Sequence, residues 1–437
     1  MSYNVLIIGS GGREHALAWG ISRSKELNTL YIAPGNPGTE PLGINVPISP
    51  SGYPSVKEYF EAVHAFAIEK KIDVTVIGPE QPLVDGITDF LEEKGLKVFG
   101  PSQKAAQLEG SKIFSKWLMH KYNIPTADSE SFTGETVLED VEAWLKVENE
   151  KWPVVIKADG LAAGKGVFIC KNLSEASAHI QRIKDDPSLR KAATRVVVEE
   201  FMEGEEASVF AITDGRHAKL LLSAQDHKRI GEGDTGLNTG GMGAYGPAPV
   251  ADSRIMKLVE DTILYPTLGA MQVEGHPYRG VLYLGLMINE EGPRVVEYNC
   301  RFGDPECQVI VPAMKSDLLR VIMATVNFEL EKEEVEMHDG HYCCVVMASG
   351  GYPEAFEKGM EIHGLEEVSE DSMVFHSGTR SENGKVYTNG GRVLTVTSKG
   401  ASLSEAIDAA YRDIEKISFD KAYYRRDIGA KGLKRSS

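Results

Sequence analysis

The run Val295-Val296-Glu297-Tyr298-Asn299-Cys300-Arg301-Phe302-Gly303-Asp304-Pro305-Glu306 carries the densest chemistry in the chain. In a strand, side chains at i, i+2 and i+4 share a face, which places Glu297, Asn299 and Arg301 side by side. A carboxylate beside an amide oxygen is hard-cation chemistry, because Mg2+ is held by one or two such ligands plus substrate phosphates. Arg301 next to that pair could steady a transferring phosphoryl group. A solvated strand face would account for a Glu and an Arg. It would not account for Asn between them, a residue poor in strands, nor for the Gly-Asp-Pro-Glu that follows.

Two glycine loops offer phosphate contacts. Gly9-Ser10-Gly11-Gly12-Arg13-Glu14-His15 has the position of a dinucleotide fingerprint, but Glu14 stands where the third glycine belongs. The second strand ends in Ala33-Pro34-Gly35-Asn36, without the acidic residue that marks NAD binding. A helix N-terminus beside Arg13 still favours an anion, and a single phosphate is the expectation. Lys157-Ala-Asp-Gly160-Leu-Ala-Ala-Gly164-Lys165-Gly166 is one residue short of a P-loop, with Gly166 in place of its Ser or Thr. Strand-like residues on both sides make it a hairpin, able to close as a flap with Lys157 and Lys165 adding charge. Taken alone, the first loop favours a bound anion over a bare turn, whereas a glycine-rich hairpin such as the second is usually just a turn.

Two further segments join these. Val196–Val198 runs into the acidic turn Glu199-Glu200-Phe201-Met202-Glu203-Gly204-Glu205-Glu206, and a solvated loop is a respectable reading of it. Gln225-Asp226-His227-Lys228-Arg229 precedes Asn238-Thr-Gly-Gly-Met-Gly-Ala-Tyr245, read as mixed charge beside a flexible glycine stretch. His227 by itself reads as structural rather than catalytic.

The elements that must hold these residues follow from apolar runs. Val5–Ile8, Thr29–Ala33, Asp73–Ile77 and Lys97–Phe99 read as buried parallel strands, each closed by Gly or Pro. Ligands of open α/β sheets sit beyond the carboxyl ends of the strands, so these four ends define one small-molecule crevice, with Asn36 and Glu80 among its residues. Residues 105–328 mix helices with strands at Pro153–Lys157, Gly166–Lys171, Arg195–Glu199, Ala207–Thr213, Gly280–Ile288 and Arg294–Cys300. A smaller lobe, 124–194, begins at the Ile124-Pro125-Thr126 turn. Residues 329–437 form a last unit, with strands Cys343–Ala348 and Arg392–Thr397 and a helix opened by a Ser402/Glu405 capping box. The expected class is therefore multi-domain α/β (α+β): a Rossmann-like parallel sheet over 1–104, a two-lobed middle, and a small C-terminal α+β unit.

Composition narrows the partners. With 437 residues and a net charge of −17, the chain has no generalised attraction for nucleic acid. No apolar run approaches the ~18–20 residues that span a bilayer, and the opening MSYNVLIIGSGGRE does not read as a signal peptide. The five cysteines lack metal or disulfide spacing, which suits a reducing cytoplasm.

In this order the segments GGREHALAW, APGN, GPEQPLVDG, LEGSK, VIKADGLAAGKGV, VVEEFMEGEEAS, QDHKR, NTGGMGAY, EYNCRFGDPE, MASGGYP, HSGT and TNGGRVL resemble the ATP-grasp superfamily. Within it they are similar to the glycinamide ribonucleotide synthetases, essentially end to end. The resemblance implies ATP-dependent joining of glycine to 5-phosphoribosylamine through glycyl phosphate, in purine synthesis. A formate-using transformylase of the same pathway is the alternative. It further implies that Glu297 and Asn299 hold Mg2+ or Mn2+. It places Lys112, Lys157, Gly160, Gly164, Lys165 and Gly166 on the ATP phosphates, the Glu199–Glu200–Phe201 strand end at adenine, and Glu206 at the ribose. Gly11, Gly12, Arg13 and Glu14 would line the phosphoribosylamine crevice, with Asp226, Lys228 and Asp304 near glycine or the reacting amine. Related enzymes often add a metal carboxylate from the preceding strand. Val281–Ile288 has none, so two protein metal ligands are expected, in a monomer.

Overall fold

The structure is a computed structural model describing residues 2–147, 151–160, 166–186, 190 and 193–436. Gly164 and Lys165 of the expected flap lie outside the described residues.

The first sheet is parallel throughout, in the order β3-β2-β1-β4-β5. Its strands are β1 (Tyr3–Gly9), β2 (Leu27–Pro34), β3 (Ile44–Asn45), β4 (Val74–Ile77) and β5 (Val98–Phe99). The chain goes to one side of β1 for β2 and to the other for β4. That makes the carboxyl end of β1 a topological switch point, the place where such sheets bind ligands. The helix Gly12–Ser22 starts there.

Two antiparallel sheets form the middle of the chain. The smaller has the order β6-β9-β7-β8, with β6 (Ser129–Thr133), β7 (Val154–Ala158), β8 (Val167–Cys170) and β9 (Arg195–Glu200). It packs on the helices Val137–Val147 and Leu173–Asp185 in a separate core that includes Val141, Ile156, Ile180 and Val198. The larger has the order β11-β10-β16-β17, with β10 (Glu205–Thr213), β11 (Ala218–Leu220), β16 (Gly280–Asn289) and β17 (Gly292–Asn299). Each expected strand lies within or overlaps an observed one. Ser129–Thr133 carries no strand signal in the sequence, since four of the five residues of SESFT are polar.

The third sheet corrects one expectation. It joins β12 (Gln225–Asp226) and β15 (Gly243–Gly246) to β18 (His341–Ser349), β22 (Arg392–Gly400) and β19 (Ser372–His376), with β23 (Ala422–Tyr423) paired to β18. The glycine stretch is therefore no flexible linker. Met242, Ala244 and Tyr245 are wholly buried, and Gly243–Gly246 pairs residue for residue with Tyr342–Val345. Two strands from the middle segment thus belong to the sheet of the last unit. Gly243 allows this close pairing, because its φ of +156° is open to glycine and a Cβ would lie 2.6 Å from the Cys344 carbonyl. His227 is locked into the same region, with its backbone N–H on Gly243 and its Nε2 accepting from Gly429 at 3.4 Å.

Short ribbons β13–β14 (Arg229–Gly231, Thr235–Asn238) and β20–β21 (Thr379–Glu382, Lys385–Thr388) complete the strands. The helix Leu403–Ile414 starts at Ser402, whose Oγ accepts from the Glu405 N–H at 3.2 Å. The Glu405 carboxylate reaches back to the Ala401 N–H at 2.9 Å, one residue before the position a capping box uses. No helix among the described residues is long and apolar enough to cross a membrane.

Candidate active site

At the end of β1 the third-glycine position of the loop is filled by a working carboxylate. Glu14 accepts from the Gly11 N–H at 2.6 Å and from Arg13 Nε at 2.6 Å. Its side chain occupies the space beside Gly9 and Gly78, and a Cβ on either glycine would overlap it. Gly9 also has a φ of +128°, in the region open to glycine. Arg13 donates to the Phe302 carbonyl at 3.2 Å and lies 3.8 Å from Glu80. Asn36 spends both protons of its amide on backbone, on the carbonyls of Ser10 and His376, each at 2.9 Å. Its Oδ1 accepts from the Gly38 N–H. The Asn36 and Glu14 side chains thus build the crevice wall. Glu80 sits between Arg301 and Arg13. Burial alone would raise its carboxyl, and the two guanidiniums outweigh that and hold it below the usual range.

On β17 the carboxylate of Glu297 has no hydrogen bond or ion pair among the described residues. Burial works against its ionisation, but Lys228, Lys157, Lys112 and Arg301 together pull it below the ordinary carboxylate range. Gly285 on β16 pairs with it, and a Cβ there would lie 3.1 Å from Glu297 Cγ. Two residues on, Asn299 Oδ1 accepts from Arg301 Nη2 at 3.2 Å. Arg301 lies just beyond the strand end, so the strand period does not place it, and its guanidinium reaches Asn299 through its own side chain. A free carboxylate beside an amide oxygen is a suitable donor pair for a hard divalent cation. Among the described residues no group of three or more His, Cys, Asp or Glu is arranged to hold a metal.

Sequence reasoning missed the residue that organises this end of β17. Glu109 Oε2 accepts from the Cys300 N–H at 2.7 Å, and its Oε1 accepts from Arg301 Nη2 at 2.7 Å. A lone Glu in LEGSK gives no spacing signal, because its partners are about 190 residues away.

Lysines line the opposite wall. Lys157 on β7 pairs with Glu199 at 2.8 Å and donates to the Val296 carbonyl at 3.3 Å, so the smaller sheet touches β17 through this side chain. Lys112 donates to the Gly160 carbonyl at 3.0 Å, at the base of the expected flap. Burial lowers its ammonium despite Glu297 nearby. Gly166 is buried at the other described end of that loop, and Gly160 has a φ of +109°. Asp159 binds Ser111 Oγ at 3.1 Å and Arg195 at 2.8 Å, fixing the strand to the helix that carries Lys112. Glu199 is buried, whereas Glu200 points to Arg294 and the Asp128 N–H. Phe201 is half-buried after them.

Beside Glu297 lies a small cavity lined by Glu206, Ser208, Asp226, Lys228 and Tyr283. Lys228 and Glu206 pair at 2.7 Å. Burial, reinforced by Glu306, Glu206 and Glu297 over the opposing pull of Lys228, pushes the Asp226 carboxyl up to about 7. Glu306 itself is buried and accepts from Ser208 Oγ at 3.2 Å, while Ser208 also meets the Tyr283 hydroxyl at 2.8 Å. Asp304 faces another way. It takes Gln308 Nε2 at 2.8 Å and Arg392 at 3.3 Å, and Arg392 also donates to the carbonyls of Gly240 and Asp304. Burial opposes ionisation of Asp304, but Arg392 and Arg13 keep it low. Glu306 and Arg392 are further residues that the sequence reading did not single out.

Comparison with known proteins identifies the family of the whole chain. The phosphoribosylglycinamide synthetase N domain matches residues 3–109, its ATP-grasp (A) domain residues 110–307 and its C domain residues 342–431. The chain is 48% identical over 431 residues to a phosphoribosylamine–glycine ligase of Chlorobaculum tepidum, covering 98% of this chain and 100% of the relative. A Synechocystis ligase of the same name is 48% identical over 434 residues, covering 98% and 100%. The crystal structure of a phosphoribosylamine–glycine ligase from Thermotoga maritima matches with a TM-score of 0.81 at 37% identity, covering 97% of this chain and 100% of that one. The biotin carboxylase domain of Hydrogenobacter thermophilus 2-oxoglutarate carboxylase, solved with MgADP, shares the fold at a TM-score of 0.72 and 15% identity, covering 97% and 92%. The chain belongs to the phosphoribosylglycinamide synthetase family, the ATP-dependent phosphoribosylamine–glycine ligases of purine biosynthesis.

Proposed function

We propose that ligation proceeds through glycyl phosphate in the cleft between β7–β9 and β17, with each substrate held by its own group of residues. One observation carries this reading: the Glu297 carboxylate has no hydrogen bond or ion pair among the described residues, although four cations act on it. Glu297 and Asn299 are the ligands for Mg2+, with Mn2+ as a substitute of the same donor preference. The ion, when bound, neutralises charge on the ATP phosphates. Lys112, Lys157 and the 160–166 hairpin hold those phosphates. Adenine lies at Glu199–Phe201, and Glu206 faces the ribose.

Glycine lies in the cavity of Asp226 and Lys228, beside Glu297. A glycine carboxylate oxygen attacks the γ-phosphorus, the bond to the β-phosphate oxygen breaks, and ADP leaves. Arg301 and Lys228 compensate the charge spreading over the transferring group. Phosphoribosylamine occupies the β1 crevice at Gly11, Gly12 and Arg13, bounded by Glu14, Asn36 and Glu80, with Asp304 at its edge. Its amine attacks the acyl carbon, a C–N bond forms, the nitrogen gives up a proton and inorganic phosphate leaves. No enzyme nucleophile is needed, and positioning supplies most of the rate. The acyl phosphate hydrolyses in water, which is the physical reason for a flap that closes. A monomer working in the cytoplasm suits these small substrates and five unpaired cysteines.

The test is ADP and phosphate release with ATP, Mg2+, glycine and freshly generated phosphoribosylamine, omitting each in turn. Glu297→Gln is expected to reduce metal-dependent turnover by about a hundredfold or more. Near-normal turnover in that variant would remove the metal assignment, and glycine-independent ADP release would remove the acyl phosphate step.

A further inference from the structure

The helix Lys112–Lys121 carries a buried cation that the ligation scheme does not use. Lys116 is 3% exposed. Its Nζ donates to Thr126 Oγ1 at 2.8 Å and to the Ala127 carbonyl at 3.1 Å, and lies 3.5 Å from Glu199 Oε2. The same Glu199 oxygen receives Lys157 Nζ at 2.8 Å. Burial drives the Lys116 ammonium down to about 8, with Glu199 pulling the other way.

The acceptors identify the role. Pro125–Ala127 is the strip by which the chain enters the smaller lobe, which it leaves between β9 and β10. The Val295 N–H donates to the Pro125 carbonyl at 2.8 Å, Thr126 Oγ1 donates to the Val295 carbonyl at 2.7 Å, and Arg294 Nη2 donates to the Thr126 carbonyl at 2.8 Å. Lys116 is therefore bonded to this hinge and to Glu199 at once. Lys112 stands one turn earlier on the same helix face and holds the Gly160 carbonyl at the base of the hairpin. One helix face thus touches hinge, hairpin and Glu199.

Charge explains why the residue is a lysine. A lone Lys157–Glu199 pair is neutral and offers little attraction to phosphates. A second ammonium on the same carboxylate leaves the trio at +1. An apolar side chain of similar length would avoid the desolvation cost of the ammonium but would leave the Ala127 carbonyl without its donor, so the two effects on stability oppose each other. Glu199 would keep Lys157 as its partner.

We propose that Lys116 is a positioning residue that couples the lobe hinge to the nucleotide site, holding Glu199 and through it Lys157 in place for ATP phosphates. This rests on the reading that Lys157 and Glu199 face ATP, so the experiment includes a variant that tests that reading separately. Steady-state kinetics of Lys116→Met, Thr126→Val and Lys157→Met are compared with the parent chain, with melting temperature recorded for each. Lys116→Met is expected to raise the KM for ATP about tenfold, the scale of a lost hydrogen bond to a charged group. The KM for glycine stays within about twofold of the parent, and the melting temperature falls by no more than a few degrees, the effect of the Ala127 carbonyl left unpaired. Thr126→Val, which removes one acceptor only, shifts the ATP KM in the same direction by about threefold, and it carries the test if Lys116→Met does not fold. An unchanged ATP KM in Lys116→Met while Lys157→Met raises it overturns the positioning role. Equal rises for ATP and glycine with a lowered melting temperature mark a merely structural lysine and overturn it too. An unchanged ATP KM in Lys157→Met overturns the nucleotide reading beneath both.

Discussion

Glu109 Oε1 meets Arg301 Nη2 at 2.7 Å, and that same nitrogen donates to Asn299 Oδ1 at 3.2 Å. One carboxylate, placed just ahead of the helix of Lys112, thereby sets the orientation of both the amide and the guanidinium at the end of β17. Glu109→Gln would put a donor opposite either Arg301 or the Cys300 N–H. The expected result is a loss of about 10–100-fold in kcat or in apparent metal affinity, the range seen when residues supporting metal ligands are changed. Kinetics over a Mg2+ titration check it, and parent-like values in both would show that Asn299 and Arg301 orient themselves.

Gly78 at the end of β4 leaves the space that Glu14 fills. Gly78→Ala would displace the carboxylate that caps the Gly11 N–H. A stability loss of about 1–3 kcal/mol is expected, as for other overpacked sites, with a raised KM for phosphoribosylamine. Chemical denaturation and kinetics measure the two effects.

His15 and His376 join the first sheet to the last one. The His376 N–H donates to His15 Nδ1 at 2.8 Å, and His376 Nδ1 lies 3.1 Å from Thr379 Oγ1. Burial, with His376 adding to it, pushes His15 down to about 3, and burial pushes His376 down to about 4. Below pH ~6.5 the unfolded chain binds protons that the folded chain refuses, so stability falls as pH falls from there toward about 4. At pH 5 the loss is about 2 kcal/mol per imidazole. Denaturation midpoints at pH 7.5 and pH 5, together with NMR titration of the two rings, test this. Rings that titrate near 6.5 in the folded protein would contradict it.

Arg425 is fully buried, paired with Asp427 at 2.7 Å and Asp234 at 3.0 Å, and it donates to the Arg229 carbonyl at 2.9 Å. It fastens the β13–β14 ribbon, which follows Lys228, to the C-terminal segment. Arg425→Met leaves the Arg229 carbonyl and two partly exposed carboxylates without this partner, Asp234 keeping Lys431, and a loss of about 1–3 kcal/mol is expected. Thermal unfolding is the measurement, and an unshifted midpoint would refute it.

The alternation of apolar runs with Gly and Pro stops was legible along the chain, because a buried parallel strand must be apolar on both faces. The i, i+2 pattern put Glu297 and Asn299 on one face of β17, since a strand's side-chain period is a local property, while Arg301 follows the strand end and is oriented by Glu109. The resemblance then supplied the substrates, and the family matches agree with it. Contacts between distant segments were not legible. Gly243–Gly246 reads as a loop because nothing near it in sequence reveals that β18 supplies its hydrogen bonds. Lys116 was not singled out in the sequence, and only the closing of Thr126, Ala127 and Glu199 over it identifies it. Local sequence thus determined which side chains share a strand face or a loop. The tertiary structure alone decided which of them are buried, because desolvation and hydrogen-bond satisfaction depend on every segment that packs against a group.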